Sequence, residues 1–418
     1  MSTPDRVPGE PTTAPPANAP ADAPASVTAE HGDLRSAVPA EERADAQAHD
    51  FPLIHEEEAG AVPLGRRIRD PRTIISFVVP IAVLALLVVA LPGFHLEELP
   101  GLIAQANPAL LLAALGIYYL GFPLRGYRWA ILVRGIGYPL KVKDSTEIIF
   151  ISWLVNCVVP AKLGDVYRAY LLRVNYRVSL SRAFGTIFIE RVFDLIAIVS
   201  LGLLAGFWSF RTGLSPEVQT IFAIGVVVVL VLLLGLLLVR NFGRLILERL
   251  PVPARVVQLY DAFEEGVFSV DRRSLPVVLV VTCAIWMTEA LRLYFVIAAL
   301  GFDDVTVGIS GAVFIALIAS LLTAVPLTPA GLGLVEVGIV GVLGAVYGVP
   351  QTEALAIALV DRAISVLSVI FFGSIVYIVS PKTKGRVAPE VAAADAAAAA
   401  AAVAAGAPAS PSARDTRA

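Results

Sequence analysis

Apolar runs separated by short polar stretches organise the middle of the chain. They cover residues 74–91, 108–124, 148–159, 183–207, 221–239, 275–300, 309–325, 332–349 and 354–378. A helix that crosses a bilayer needs about 20 apolar residues, and most of these runs qualify, whereas the third is short. The charges flanking each run test how the chain threads the membrane, because cytoplasmic loops collect Lys and Arg. Arg66, Arg67, Arg69 and Arg72 precede the first run and place the N-terminus in the cytoplasm. If every run crossed, the basic groups around Arg168 to Arg182, Arg240 to Arg273 and Lys382 to Arg386 would lie outside. If the third run enters from the cytoplasm and returns, and the seventh and eighth enter from outside and return, all of these groups become cytoplasmic. The outer loops are then His95-Leu96-Glu97-Glu98 and Phe302-Asp303-Asp304, both acidic. The expected fold is therefore an all-α polytopic membrane protein with about six full spans and two re-entrant hairpins.

The stretch from Asn156 to Arg168 shows why a hairpin is needed. Pro160, Lys162, Gly164 and Asp165 stand where a spanning helix would continue with leucine. A charge at membrane depth costs about 2.5–3.5 kcal/mol on insertion scales, and irregular backbone survives there only around a protein-lined or watery cavity. The two halves also echo each other. Leu124-Arg125-Gly126-Tyr127 and Leu291-Arg292-Leu293-Tyr294 lie 167 positions apart, as do Gly164 and Gly331; Glu190-Arg191 and Asp361-Arg362 lie 171 apart. Halves of about 74–207 and 221–379, entering from opposite sides, form an inverted-topology repeat, which places a site near the midplane.

Composition narrows the function class. The chain has 418 residues, 57% of them hydrophobic, and a net charge of −3. Residues 1–70, rich in Pro, Ala and acids, and the Ala-rich residues 381–418 are expected to be solvated, disordered tails. Two cysteines, Cys157 and Cys283, offer neither a disulfide framework nor metal spacing. No phosphate-binding loop, zinc-binding helix or nucleophile elbow occurs, so no enzyme, cofactor, metal site or nucleic-acid partner is expected.

Candidate chemistry concentrates at the hairpins. Pro160 suits the first turn of the returning helix, whose free N–H groups favour an anion, and Lys162 adds a full positive charge. Asp165 and Arg168, three apart, are spaced to pair. Gly164, Gly331 and Gly333 permit close packing, and Thr328 before Pro329 reads as a helix cap. Glu336, alone on an apolar helix, needs a partner, with Lys162 or Arg191 as candidates. Asn156, Lys162, Asp165, Arg168, Arg292, Thr328 and Glu336 are thus the candidate binding residues. Arg125, Glu190, Arg191, Asp194, Glu289, Asp361 and Arg362 are candidates for a gate or for a buried ion-pair network that only holds the bundle together. For Arg125 a snorkelling anchor suffices, and Arg292 is spaced to pair with Glu289. Residues 240–273 read as an interfacial helix pair on the cytoplasmic side.

Pro160-Ala161-Lys162-Leu163-Gly164-Asp165, Glu190-Arg191-Val192-Phe193-Asp194, Thr328-Pro329-Ala330-Gly331-Leu332-Gly333 with Glu336, and Asp361-Arg362, in that order, resemble the flippase-like family, also called the lysylphosphatidylglycerol synthase transmembrane-region family. The resemblance covers roughly residues 70–380. It implies a multi-pass protein of the cell membrane, termini cytoplasmic, that moves an anionic phospholipid or lipid-linked precursor between leaflets. It also implies a lipid partner, and a lipid-modifying enzyme or glycosyltransferase as a possible neighbour. Full-length synthases add a soluble transferase domain, which is not seen after Ser380, so the chain resembles the stand-alone members. A secondary transporter for a small solute or ion, built on the same inverted repeat, is the alternative.

Overall fold

In the computed structural model the described residues are 95, 97–159, 162–209, 216–249, 251–302, 307–324, 328–385, 387–389, 391–393 and 397. The expected N-terminal tail, the first apolar run, Pro160, Asp303 and Asp304, and the end of the C-terminal tail lie outside them. Among the described residues there is no strand. Helices α1 (Leu99–Ala104) and α2 (Pro108–Gly135) open the bundle. A hairpin of α3 (Val142–Val158) and α4 (Leu163–Tyr176) leads into α5 (Leu180–Ser209). Helices α6 (Pro216–Arg249) and α7 (Ala254–Val267) follow, then α8 (Leu275–Leu300). A second hairpin joins α9 (Ile309–Ala324) through a 3₁₀ turn (Pro329–Gly331) to α10 (Leu334–Tyr347). The last span is α11 (Gln351–Arg362), a π turn (Ala363–Leu367) and α12 (Ser368–Val379).

Local chemistry sets several of these boundaries. Asn107 accepts hydrogen bonds from the Ala109 and Leu110 N–H groups ahead of Pro108 and so starts α2. Gly301, at φ 60°, ends α8 in the left-handed conformation that costs glycine least. Among the described residues, five segments are long and apolar enough to cross a membrane: Pro108–Gly135, Ala223–Leu247, Leu275–Leu300, Pro329–Tyr347 and Gln351–Val379. The chain is an all-α polytopic membrane protein. Helix α5 is as long but carries Arg182, Glu190, Arg191 and Asp194 in its first half.

Each hairpin enters and leaves the bundle at one end, and the two ends are opposite. The Tyr176 hydroxyl at the end of α4 donates to Asp144 at the start of α3. At the other end, the Tyr347 hydroxyl closing α10 lies 2.7 Å from where a Gly311 Cβ would stand at the start of α9. Near that second end the Asn107 N–H donates to the Ala299 carbonyl, and the His95 N–H to the Thr352 hydroxyl. The basic groups gather at the first end, where Arg182 pairs with Glu265 at 2.7 Å and Lys382 with Asp144 at 2.8 Å. One expectation changes here. Residues 240–249 do not begin a separate interfacial helix; they continue α6, and only α7 is a separate helix, packed on α5.

Asp144 joins α3, α4 and the segment after α12. Burial pushes its carboxyl up, but hydrogen bonds from Lys382 and Tyr176 outweigh that and hold it below the usual carboxylate range. A carboxyl depressed in the folded state contributes stability that is present above its unfolded value of about 3.9 and lost as pH falls through the folded value. Asp144→Asn should therefore lower the thermal midpoint of the detergent-solubilised protein at pH 7. The difference from wild type should shrink as pH falls below about 3.9 and on through the depressed folded value; a difference that does not shrink with falling pH would show that the contact acts through packing rather than charge.

Candidate functional site

The hairpin tips meet at a cavity of about 400 Å³ between α2, α5, α8 and α11. At the first tip the chain turns through Lys162, whose φ of 53° is left-handed, before α4 begins at Leu163. Asn156, near the end of α3, accepts a hydrogen bond from the Gly164 N–H at 2.8 Å. Position 164 must be glycine for this crossing, because a Cβ there would stand 2.1 Å from the Ser152 carbonyl. Asp165 then faces α5 and accepts both Arg191 Nη2 at 2.7 Å and Arg191 Nε at 3.2 Å.

The second tip has the same plan with different atoms. Ala330 and Gly331, at φ 51° and 72°, turn the backbone, and the Thr328 hydroxyl donates to the Leu332 carbonyl at 2.9 Å. In the first turn of α10, Glu336 accepts the Gly333 N–H at 2.6 Å, which satisfies one of the helix's free donors. Arg362 donates to Glu336 at 2.9 Å and also to the Ala330 carbonyl. In each half, then, an arginine 26 residues beyond the tip carboxylate clasps the tip from the following long helix.

Two buried charge clusters lie deeper. In one, Arg128 pairs with Asp194 at 2.6 Å and Glu190 at 3.0 Å and donates to Thr282 at 2.9 Å. Arg168 also pairs with Glu190 at 3.0 Å, and its guanidinium stacks over Trp129. In the other, Glu289 joins Arg125 at 2.6 Å to Arg292, which forks onto Asp361 at 2.8 and 3.1 Å. Such pairing is obligatory, since a buried charge without a partner is strongly destabilising.

Several expected pairings are corrected by this geometry. Asp165 does not pair with Arg168; Arg191 reaches it with two nitrogens, and Arg168 turns to Glu190 instead. The partner of Glu336 is Arg362 rather than Lys162 or Arg191. Thr328 caps no helix through its side chain. Arg125 is buried against Glu289 and stacks over Trp153, so it is no snorkelling anchor.

Of the expected residues, Asn156, Lys162, Asp165, Arg292, Thr328, Arg125, Glu190, Arg191, Asp194, Glu289, Asp361, Arg362 and Gly331 line the cavity. Arg168 and Glu336 pair behind its wall, and Gly164, Pro329 and Gly333 shape the tips. Sequence reasoning missed Arg128, Tyr118, Trp153 and Trp286. Arg128 had a signal: it follows Arg125 by three residues in an apolar helix, so both face the same way. Among the described residues, Lys162 is the one cavity-lining cation in no ion pair, and no group of His, Cys, Asp and Glu is placed to hold a metal ion.

Known proteins place this architecture. UPF0104 membrane protein MJ1078 of Methanocaldococcus jannaschii is 36% identical over 226 residues, covering 53% of this chain and 92% of its own. A UPF0104 membrane protein of Methanothermobacter thermautotrophicus is 28% identical over 291 residues, or 65% of this chain and 83% of that one. Glycosyltransferase AglD of Haloferax volcanii is 29% identical over 316 residues, which is 67% of this chain but only about half (51%) of AglD. Residues 74–373 match the family described as the lysylphosphatidylglycerol synthase TM region, and the chain belongs to that family.

Proposed function

We propose that this protein is a lipid transporter that moves an anionic lipid headgroup through the central cavity while the acyl or prenyl chains stay in the bilayer. The observation that carries this reading is Lys162. It stands at a hairpin tip, on the wall of a cavity inside a membrane protein, and no carboxylate engages it. Every arginine on that wall is neutralised, so the free positive charge is a place for an external anion. Arg125 Nη1, also without an acceptor, adds a spare donor on the same wall. The likeness to a protein named a glycosyltransferase supports a lipid-linked sugar among the cargos. In this reading the two hairpins are halves of an inverted repeat in the cell membrane. The arginine clasps of Asp165 and Glu336 hold the tips, and both termini are cytoplasmic. A solute transporter would use the same charge without the lipid chains.

Translocation of fluorescent anionic lipid in reconstituted vesicles tests the activity; a rate equal to that of protein-free vesicles would refute it. Orientation has its own test, in a background with Cys157 and Cys283 replaced. Single cysteines at Glu98 and Asp304 should react with an impermeant maleimide from outside intact cells. Cysteines at Arg182, Arg249 and Lys382 should react only after the cells are opened. Outside labelling at Arg182 would overturn the re-entrant arrangement.

A further inference from the structure

The charges around the cavity are nearly balanced, and the imbalance defines what fits. Six arginines (Arg125, Arg128, Arg168, Arg191, Arg292 and Arg362) and six carboxylates (Asp165, Glu190, Asp194, Glu289, Asp361 and Glu336) form one closed set of pairs at and behind the wall. Lys162 is left over. The site therefore presents a single uncompensated positive charge.

Resting on the anionic-headgroup reading, we infer that the cavity selects a lipid phosphodiester, whose phosphate carries one negative charge, and discriminates against diphosphate and phosphomonoester lipids. A diester's single charge completes the balance with Lys162. A second negative charge would have to draw an arginine away from its carboxylate, and that carboxylate would then be buried without a partner. Glycerophospholipids with a neutral polar head and prenyl-phosphate glycosides share this chemistry. Thr328, Ser320 and Asn156 on the wall are uncharged and suited to head-group hydroxyls.

The test uses the full chain in a neutral maltoside detergent, with binding read from the emission of the cavity tryptophans Trp153 and Trp286. The probes are dihexanoyl phosphatidylglycerol (a diester), farnesyl diphosphate, and glycerophosphoglycerol, the diester without acyl chains. Wild type should bind the diester lipid at least about tenfold more tightly than the diphosphate, as one unbalanced charge in a partly desolvated site predicts. Asp165→Asn, which removes one carboxylate from the set and leaves Arg191 only Asp194 at 3.4 Å, should reverse that order. Ser320→Lys adds a cation to the wall without breaking an ion pair and should reverse it too, so the inference does not hang on one variant folding. Lys162→Gln should weaken diester binding about tenfold or more. Diphosphate binding as tight as diester binding in wild type would overturn the charge inference and leave the headgroup reading standing. Binding of neither lipid would overturn both. Glycerophosphoglycerol binding as tightly as the lipid would remove the lipid part of the inference and favour a solute as cargo.

Discussion

Lys162→Ala should fold as the wild type does and lose lipid translocation in reconstituted vesicles. The two halves of this result have separate causes. The fold is spared because Lys162 takes part in none of the ion pairs, so its removal leaves no carboxylate stranded, and a substitution away from such features usually changes stability by no more than about 0.5 kcal/mol. The left-handed turn at 162 is as accessible to alanine as to lysine. Transport fails because the cavity then offers a headgroup only arginines that are already neutralised. Lys162→Arg should keep part of the activity, since the charge remains while its shape and hydration change. The measurement is the rate at which fluorescent lipid becomes accessible to an external quencher, with the thermal midpoint as the control. A Lys162→Ala protein that moves lipid at the wild-type rate would refute the assignment. The opposite profile, lost folding with the residual rate preserved per folded molecule, would make the residue structural.

Glu190→Ala should be among the most damaging single changes to stability. Glu190 is shared by Arg128 and Arg168 at 3.0 Å each, and all three are almost fully buried. Removing it leaves Arg168 without a carboxylate and costs about 3–5 kcal/mol, the usual penalty for breaking a buried pair from one side. The rescue identifies the partner. Glu190→Leu with Arg168→Leu replaces the pair by apolar groups, leaves Arg128 on Asp194, and should recover most of the loss. Glu190→Leu with Arg191→Leu should do worse than Glu190→Leu alone, because it also unclasps Asp165. Thermal unfolding in detergent distinguishes the two double variants, and recovery in the second instead of the first would show that the pairing is wrong.

Much of the architecture was legible in the chain because it depends on neighbours in sequence. Apolar runs give the helices, and Pro329, Gly331 and Gly333 mark the turn between α9 and α10. The third run showed the limit of hydropathy. The helix begins at Val142, six residues before the apolar run, because its first two turns, containing Lys143, Asp144 and Glu147, are held by polar contacts at the end of the bundle, including Lys382 on Asp144 and Ser380 on Glu147. The run of polar and basic residues at 240–249 misled in the opposite sense: a helix whose backbone bonds are already propagating from an apolar span continues through charged residues that point to water or headgroups.

The sequence by itself determined that charges would be buried and that each would need a counter-charge, since desolvation makes that a requirement wherever the chain folds. It could not determine the pairs. Arg125 meets Glu289 across 164 positions, Arg128 meets Asp194 across 66, and Arg292 meets Asp361 across 69, so each choice rests on where helices cross. Spacing on one helix favoured Asp165 with Arg168, yet α5 brings the Arg191 guanidinium onto both Asp165 oxygens, and a two-pronged charged bond outweighs a local contact. The free charge of Lys162 is likewise a property of the tertiary structure alone: it is what remains after every carboxylate in reach has been taken by an arginine arriving from another helix.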